Sequence, residues 1–217
     1  MILIPENWAT TMPALWGGLK VTLNVAVTAS LLTVLWASVV TWARLSHNRA
    51  LRLIAMMYIE LFRSTPIIVQ IFIVFTVLPA AGLRLSPYAA AILALVLNAG
   101  GYLTENIRAA FKAIPAGLLE VADALGMAPL QKLRRVILPQ SLKVLVPVTA
   151  NTLLFILLTT PFVFLVGIQD MMMQANKIQR ETGDFTVFLQ ITLIYVSISL
   201  SIHFVARFLE RRLSSHF

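Results

Sequence analysis

Apolar residues in this chain come in long unbroken runs rather than in short alternating patches. Four stretches carry no charged side chain: Val21–Ala43, Ser64–Leu83, Val144–Gln169 and Phe185–Ala206. A helix needs about 20 mainly apolar residues to cross the hydrocarbon of a bilayer, and each run is long enough. Leu85–Thr104 is a fifth, slightly more polar candidate. The pattern predicts an all-α polytopic membrane protein of about five helices, spanning roughly 19–43, 53–79, 85–110, 140–168 and 185–208. These form one transmembrane domain over 1–217, interrupted by a polar loop at 112–139.

That loop breaks the pattern. Residues 120–140 read EVADALGMAPLQKLRRVILPQ, with acids, bases, a glycine and two prolines between apolar flanks. The spacing predicts two short helices. The first runs from Gly117 to Leu125, with Val121 and Leu125 on one face and Glu120 and Asp123 elsewhere. Gly126 permits a turn or a close approach by another chain. Pro129 suits the first turn of the second helix, where Leu130, Leu133 and Ile137 recur at helical spacing. Pro139 is expected to bend or restart the chain before the fourth span. Two readings stand side by side. The segment either lies on the bilayer surface or docks its first half into a partner's groove.

Charge orients the spans. Arg44, Arg49 and Arg52 separate the first two. Arg108, Lys112, Lys132, Arg134, Arg135 and Lys143 separate the third and fourth, and Arg207, Arg211 and Arg212 follow the fifth. The opposite segments hold Lys20, Arg84, Lys177 and Arg180. The positive-inside rule places the N-terminus outside and the C-terminus in the cytoplasm. The same asymmetry accounts for a net charge of +8, so no nucleic-acid partner is required. With 59% hydrophobic and 12% charged residues, the composition is that of a membrane protein, since soluble domains carry roughly a quarter charged residues. No basic residue precedes Lys20, and the run after it exceeds a signal core, so the first span is expected to remain. The chain has no cysteine, which rules out a disulfide or thiolate site. His47, His203 and His216 are too scattered for a metal cluster or a catalytic triad. No G-x-x-x-x-G-K-[ST] loop occurs, so the chain is not expected to hydrolyse ATP, and no catalytic or metal residue is assigned.

The order Glu120, Ala122, Gly126, Ile137-Leu138-Pro139 resembles the EAA motif of ATP-binding-cassette importer permeases, with Val121 in place of the middle alanine. Tyr58-Ile59-Glu60-Leu61-Phe62-Arg63-Ser64-Thr65-Pro66, followed by Val69-Gln70, resembles the family's Y-x-E-x-x-R-G-T-P, with Ser64 for glycine. Tyr102, Glu105, Arg108 and Ala109 resemble the segment leading into the loop, and Leu209-Glu210-Arg211-Arg212-Leu213 a common ending of polar amino-acid permeases. The family's polar run near the end of the fourth span is replaced here by Leu158-Thr159-Thr160-Pro161. The likeness covers nearly the whole chain and points to the histidine, glutamine and arginine branch.

The resemblance implies a type I importer fold in the bacterial cytoplasmic membrane. Residues Glu120, Val121, Ala122, Asp123, Ala124, Leu125 and Gly126 would form the coupling helix to a separate ATPase. Two such ATPases would hold ATP and magnesium, with no cofactor on this chain. A second permease, the same chain or a homologue, and an extracytoplasmic solute-binding protein complete the expected assembly. The solute would be a polar amino acid or a derivative.

Charged residues in lipid are costly, about 3 kcal/mol each on insertion scales, so each needs water or a partner. Glu60 and Arg63, at helical spacing, are candidates for a pathway or gate, or for a paired bracket that fixes the second span. Thr65, Thr159, Thr160 and Pro161 join them as pathway candidates, although a membrane threonine more often bonds back to its own helix. Glu105 and Arg108 predict an interfacial ion pair. Gly100 and Gly101 suggest close helix packing, with a hinge as the other reading. In the external loop Gln169–Asp184, Met172, Ala175 and Ile178 predict a short amphipathic helix on the outer surface. Two rival functions remain open at this point. An ion-gradient transporter would usually show internal repeats and midplane ion sites, and a non-transport assembly subunit would leave the helix–glycine–helix loop unexplained.

Overall fold

The helix order follows from where charge, glycine and proline interrupt the apolar runs. In the computed structural model, which describes residues 8–214, the chain forms α1 (Trp8–Leu45), α2 (Arg49–Arg63), α3 (Ile67–Ala80), α4 (Pro87–Lys112), α5 (Ala116–Ala124), α6 (Pro129–Val166), α7 (Met171–Thr182) and α8 (Thr186–Ser214). Among these, α1, α4, α6 and α8 are each long and apolar enough to cross a membrane, and α2 with α3 makes a fifth crossing if the bent pair counts as one. The fold is therefore all-α and polytopic. His216 lies outside the described residues.

Two boundaries differ from the sequence reading. Helix α1 begins at Trp8 rather than near residue 19 and runs for 38 residues, about 57 Å at 1.5 Å per residue. Lys20 is exposed on that helix and does not end it, because a long basic side chain can reach water from a helix flank. The span expected over 53–79 falls on two helices bent by 107°. Pro66 lacks an N–H and pushes the preceding residue out of the helical region, so the chain turns at Ser64-Thr65-Pro66.

Helix α6, by contrast, does not restart at Pro139. It passes through a π-helical turn at Leu133–Ile137, where the Leu138 N–H reaches back to the Leu133 carbonyl. The same device occurs at Ile73–Val77, where the Leu78 N–H bonds to the Ile73 carbonyl just before Pro79. In both places a Leu-Pro pair follows the widened turn. A proline ring inside an α-helix clashes with the carbonyl four residues back, and one extra residue in the turn relieves that clash.

Small residues let α4 sit at the centre. Ala90, Ala91, Ala94 and Ala99 are buried against α1, α3 and the 3₁₀ turn Thr160–Val166 that ends α6. Such residues allow backbones to approach closely where hydrophobicity gives helices no reason to leave lipid. A second cluster joins Leu15, Leu19 and Ala26 of α1 to Leu157, Met171, Val187 and Ile191 of α6, α7 and α8. Gly100 and Gly101 lie inside a continuous α4 and serve packing. A Cβ on Gly100 would come within 2.7 Å of Trp36 Cδ1, and one on Gly101 within 3.3 Å of Arg63 Cγ.

Candidate coupling surface and helix elbow

The loop between α4 and α6 is a short helix with a built stop. Helix α5 follows Pro115 and ends at Leu125. Gly126 then takes φ +66, a left-handed conformation that costs glycine nothing. The Gly126 N–H donates to the Asp123 carbonyl at 2.9 Å and the Met127 N–H to the Ala122 carbonyl at 3.1 Å. This is the paired Schellman pattern that satisfies the last carbonyls of a helix. Across the turn, Lys132 Nζ donates to both Asp123 carboxylate oxygens, each at 2.7 Å. The angle between α5 and the start of α6 is thus fixed by backbone and side chain together.

The face that α5 leaves bare is apolar. Ala122 is buried, whereas Leu118, Val121 and Leu125 are exposed, Leu125 at 68%. The C-terminal carbonyls of this short helix are capped, while its large apolar side chains stand in the open. A lipid-surface helix would not spend Glu120 and Asp123 on its length, since acids oppose anionic headgroups.

The bend between α2 and α3 leaves helix-end carbonyls without intrahelical partners, and each needs another donor. Side chains from α3 and α4 supply them. Asn98 Nδ2 and Gln70 Nε2 both donate to the Phe62 carbonyl at 2.9 Å. Gln70 Nε2 also reaches Thr65 Oγ1 at 2.6 Å and the Thr65 carbonyl at 3.1 Å. Tyr102 OH donates to the Arg63 carbonyl at 3.1 Å, and Thr65 Oγ1 to the Leu61 carbonyl at 2.8 Å. Tyr58 OH donates to the Leu97 carbonyl at 2.6 Å and accepts from Trp36 Nε1 at 2.8 Å, which ties α1, α2 and α4 at one point. The stretch Tyr58–Gln70 therefore encodes an elbow. Replacing Asn98 with leucine should cost about 1 kcal/mol, the worth of one such bond. Adding Gln70→Leu should cost more than the sum of the two single changes, because both share the Phe62 acceptor. Thermal unfolding of the detergent-purified single and double variants measures this.

Glu60 and Arg63 do not pair. Among the described residues no ion pair joins them. Arg63 ends α2, and its guanidinium lies 5.3 Å over the Tyr102 ring, while Glu60 is exposed. The elbow turns the end of α2 toward α4, and Tyr102 becomes the cation's neighbour. Thr159 and Thr160 bond back to α6: Thr159 Oγ1 donates to the Phe155 and Ile156 carbonyls, and Thr160 Oγ1 to that of Leu157. Pro161 sits in the 3₁₀ turn. Helix α3, which begins two residues after Thr65, packs on this turn. Glu105 accepts from Arg108 Nε at 2.8 Å and also faces Arg44 of α1 at 3.8 Å.

Asp170 was not singled out by its sequence position, although an acid just before a helix is an N-cap signal. It caps α7 by accepting from the Met173 N–H at 2.9 Å and is fully buried, its second oxygen unpartnered. Met171 and Ala175 are buried with it, so α7 docks into the bundle with one face rather than resting on it. Burial pushes the Asp170 carboxyl up to about 6. A raised folded-state value means the native state holds its proton longer than the unfolded chain, whose carboxyl titrates near 3.9. Stability should therefore fall as pH rises from about 4 through 6 and then level off. Asp170→Asn, which keeps a capping oxygen, should flatten that slope in melting curves taken from pH 4.5 to 7.5.

Among the described residues, no group of three or more His, Asp or Glu side chains could hold a metal ion. The chain thus combines a polytopic helical bundle, a hydrogen-bonded elbow between α2 and α3, and an exposed loop helix between α4 and α6. The chain matches the family model "Binding-protein-dependent transport system inner membrane component" over residues 29–215 and belongs to that family. It is a multi-pass inner-membrane permease subunit and not the ATPase of its system. It is 31% identical over 206 residues to the L-cystine transport system permease protein of Bacillus subtilis, covering 94% of this chain and 88% of the relative. It is 31% identical to the arginine transport system permease protein of the same organism, with 94% of each covered. Against the glutamine transport system permease protein of Escherichia coli it is 29% identical, with 95% and 97% covered. A crystal structure of an amino acid ABC transporter with histidines superposes with a TM-score of 0.91 at 30% identity, covering 98% of this chain and all of the other. An inward-facing methionine ABC transporter gives 0.76 at 22% identity, with 97% and 99% covered, a likeness of fold.

Proposed function

We propose that this chain is the transmembrane subunit of an ATP-driven importer that carries a polar amino acid or a derivative inward. The observation that carries the reading is α5, a capped helix with its apolar face bare and its angle clamped by Lys132 and Asp123. Glu120–Gly126 would engage a cleft on each of two partner ATPases, which hold the ATP and magnesium. A second permease, identical or homologous, would complete the passage, and a solute-binding protein would deliver cargo at the α7 side. The N-terminus would lie outside and the C-terminus in the cytoplasm, as the distribution of basic residues supports. The elbow, with Arg63 and Thr65, and the turn at Thr159-Thr160-Pro161 are the proposed pathway and gate, with Glu60 at the pathway's edge. The relatives' named solutes, cystine, arginine and glutamine, support the polar amino-acid class.

The test is uptake by the whole complex in liposomes, with binding protein outside and ATP inside, across a panel of labelled amino acids. Uptake that needs both is expected. Uptake driven by an ion gradient with no ATP would sink the proposal. Because the chain has no cysteine, Glu181→Cys and Gln131→Cys report orientation directly: an impermeant maleimide applied to intact cells' membranes from outside should label the first alone.

A further inference from the structure

A chain of buried hydroxyls joins the start of α7 to the 3₁₀ turn that ends α6. Thr22 of α1, Thr160 of that turn and Tyr195 of α8 are all buried. The Met171 N–H, at the first position of α7, donates to Thr22 Oγ1 at 3.1 Å. The Thr22 side chain in turn interacts with the Tyr195 hydroxyl, whose oxygen stands 3.2 Å from Thr160 Oγ1. A membrane threonine commonly bonds back to its own helix, as Thr41 does to the Ala37 carbonyl at 2.7 Å. Thr22 instead turns across to α7 and α8.

Counting hydrogens gives the chain a direction. A hydroxyl has one hydrogen to give and two lone pairs to receive. Thr160 gives its hydrogen to the Leu157 carbonyl at 2.7 Å, so toward Tyr195 it is the acceptor. Tyr195 has then spent its own hydrogen, and toward Thr22 it accepts. Every group therefore donates the same way, from Met171 through Thr22, Tyr195 and Thr160 to the Leu157 carbonyl. Hydrogen bonds aligned head to tail polarise one another, so the middle member matters to both ends.

The far end of the chain falls on a junction with two settings. The Thr160 backbone N–H is shared between the Ile156 and Leu157 carbonyls. The first is an α-helical bond and the second a 3₁₀ bond. The Leu157 carbonyl also holds the Thr160 hydroxyl, and Pro161 follows with no N–H of its own. What grips the Thr160 hydroxyl thus weighs on where α-helix gives way to 3₁₀. Tyr195 grips it, and through Thr22 Tyr195 is tied to the start of α7, which Asp170 caps.

We propose that Tyr195 is a positioning residue that couples the seating of α7 to the Thr159-Thr160-Pro161 turn, so that a contact made on α7 from outside resets the turn. This rests on the reading above that a solute-binding protein docks at the α7 side and that the turn belongs to the gate.

The experiment is ATP hydrolysis by the reconstituted importer complex, with and without solute-loaded binding protein, alongside melting of the same complex. Tyr195→Phe removes the central hydroxyl and leaves Thr22 and Thr160 free to bond within their own helices. It should leave the resting rate unchanged and lower the melting temperature by no more than about 4 °C, the worth of one hydrogen bond. The stimulation by binding protein should fall about fivefold. Thr22→Val should cut the stimulation as much, and the two changes together no further, because either one breaks the same chain. Thr22→Ser, which keeps the hydroxyl, should retain it. Full stimulation in Tyr195→Phe, or losses that multiply in the double variant, would overturn the proposal and leave the transport reading intact. A wild-type complex that ignores its binding protein would overturn that reading and this inference with it.

Discussion

Gly126→Arg is expected to abolish uptake and to strip the partner ATPases from the purified complex, while the permease itself remains folded. The separation of these effects comes from the geometry. Gly126 has φ +66, which costs a side-chain-bearing residue roughly 1–2 kcal/mol. A Cβ there would meet nothing within 4 Å. The fold therefore bears only a local strain at one end of α5. The exposed side of the turn is another matter. A guanidinium beside Val121 and Leu125 would have to enter any interface those side chains make, and a charge buried without a partner costs several kcal/mol. Affinity purification of the tagged permease, with quantitation of the co-purified ATPase, reads this. Gly126→Ala separates the two contributions, since it carries the strain without the charge, and should retain most of the partner. A Gly126→Arg complex that keeps its ATPase and transports normally would remove α5 as the contact.

Gly18→Val should have the largest effect on stability. A Cβ at Gly18 would stand 2.7 Å from Met171 Cα, 2.8 Å from the Asp170 carbonyl oxygen and 2.9 Å from Gln174 Cγ. The first two are backbone atoms and cannot swing aside, so α1 and α7 must move apart. That separation breaks the bond from the Met171 N–H to Thr22 Oγ1 at 3.1 Å and opens the burial of Asp170. Overpacking of this kind costs typically 1–3 kcal/mol, and the loss of a buried N–H bond adds about 1 kcal/mol. The expected result is a lower melting temperature with α7 undocked, seen as protease cleavage near Lys177 and Arg180. In the assembled importer the same change should impair delivery by the binding protein more than the resting ATPase rate. Gly17→Val is the control, because nothing lies within 4 Å of a Cβ there.

These two glycines show what could be read in advance and what could not. Gly126 sits between a helical run and Pro129, so its turn was legible from local sequence, as were the long helices and the polar loop. Gly18 has meaning only through Met171, more than 150 positions away. The span expected from about residue 19 lies within a helix that begins at Trp8 and passes through Lys20. The elbow shows the same limit. Pro66 announced a break, but of the donors that satisfy it only Gln70 is local, while Asn98 and Tyr102 come from another helix. Glu60 and Arg63 were paired on helical spacing alone, and tertiary packing gave Arg63 the Tyr102 face instead. Asp170 carried a cap signal, but burial of its second oxygen depends on how α7 meets α1.

The π-helical turn at Leu133–Ile137 sets a phase. Each residue of an α-helix advances the chain by 100°, so one residue more or fewer between the membrane part of α6 and Gly126 swings everything beyond it by that angle. Pro139 keeps the extra residue in place. The direction in which α5 presents Val121 and Leu125 is thus indexed by a proline inside the next helix, as a key indexes a shaft. A chain with alanine at that position could close the turn to a plain α-helix, with every contact of α5 intact and its apolar face aimed at the wrong bearing.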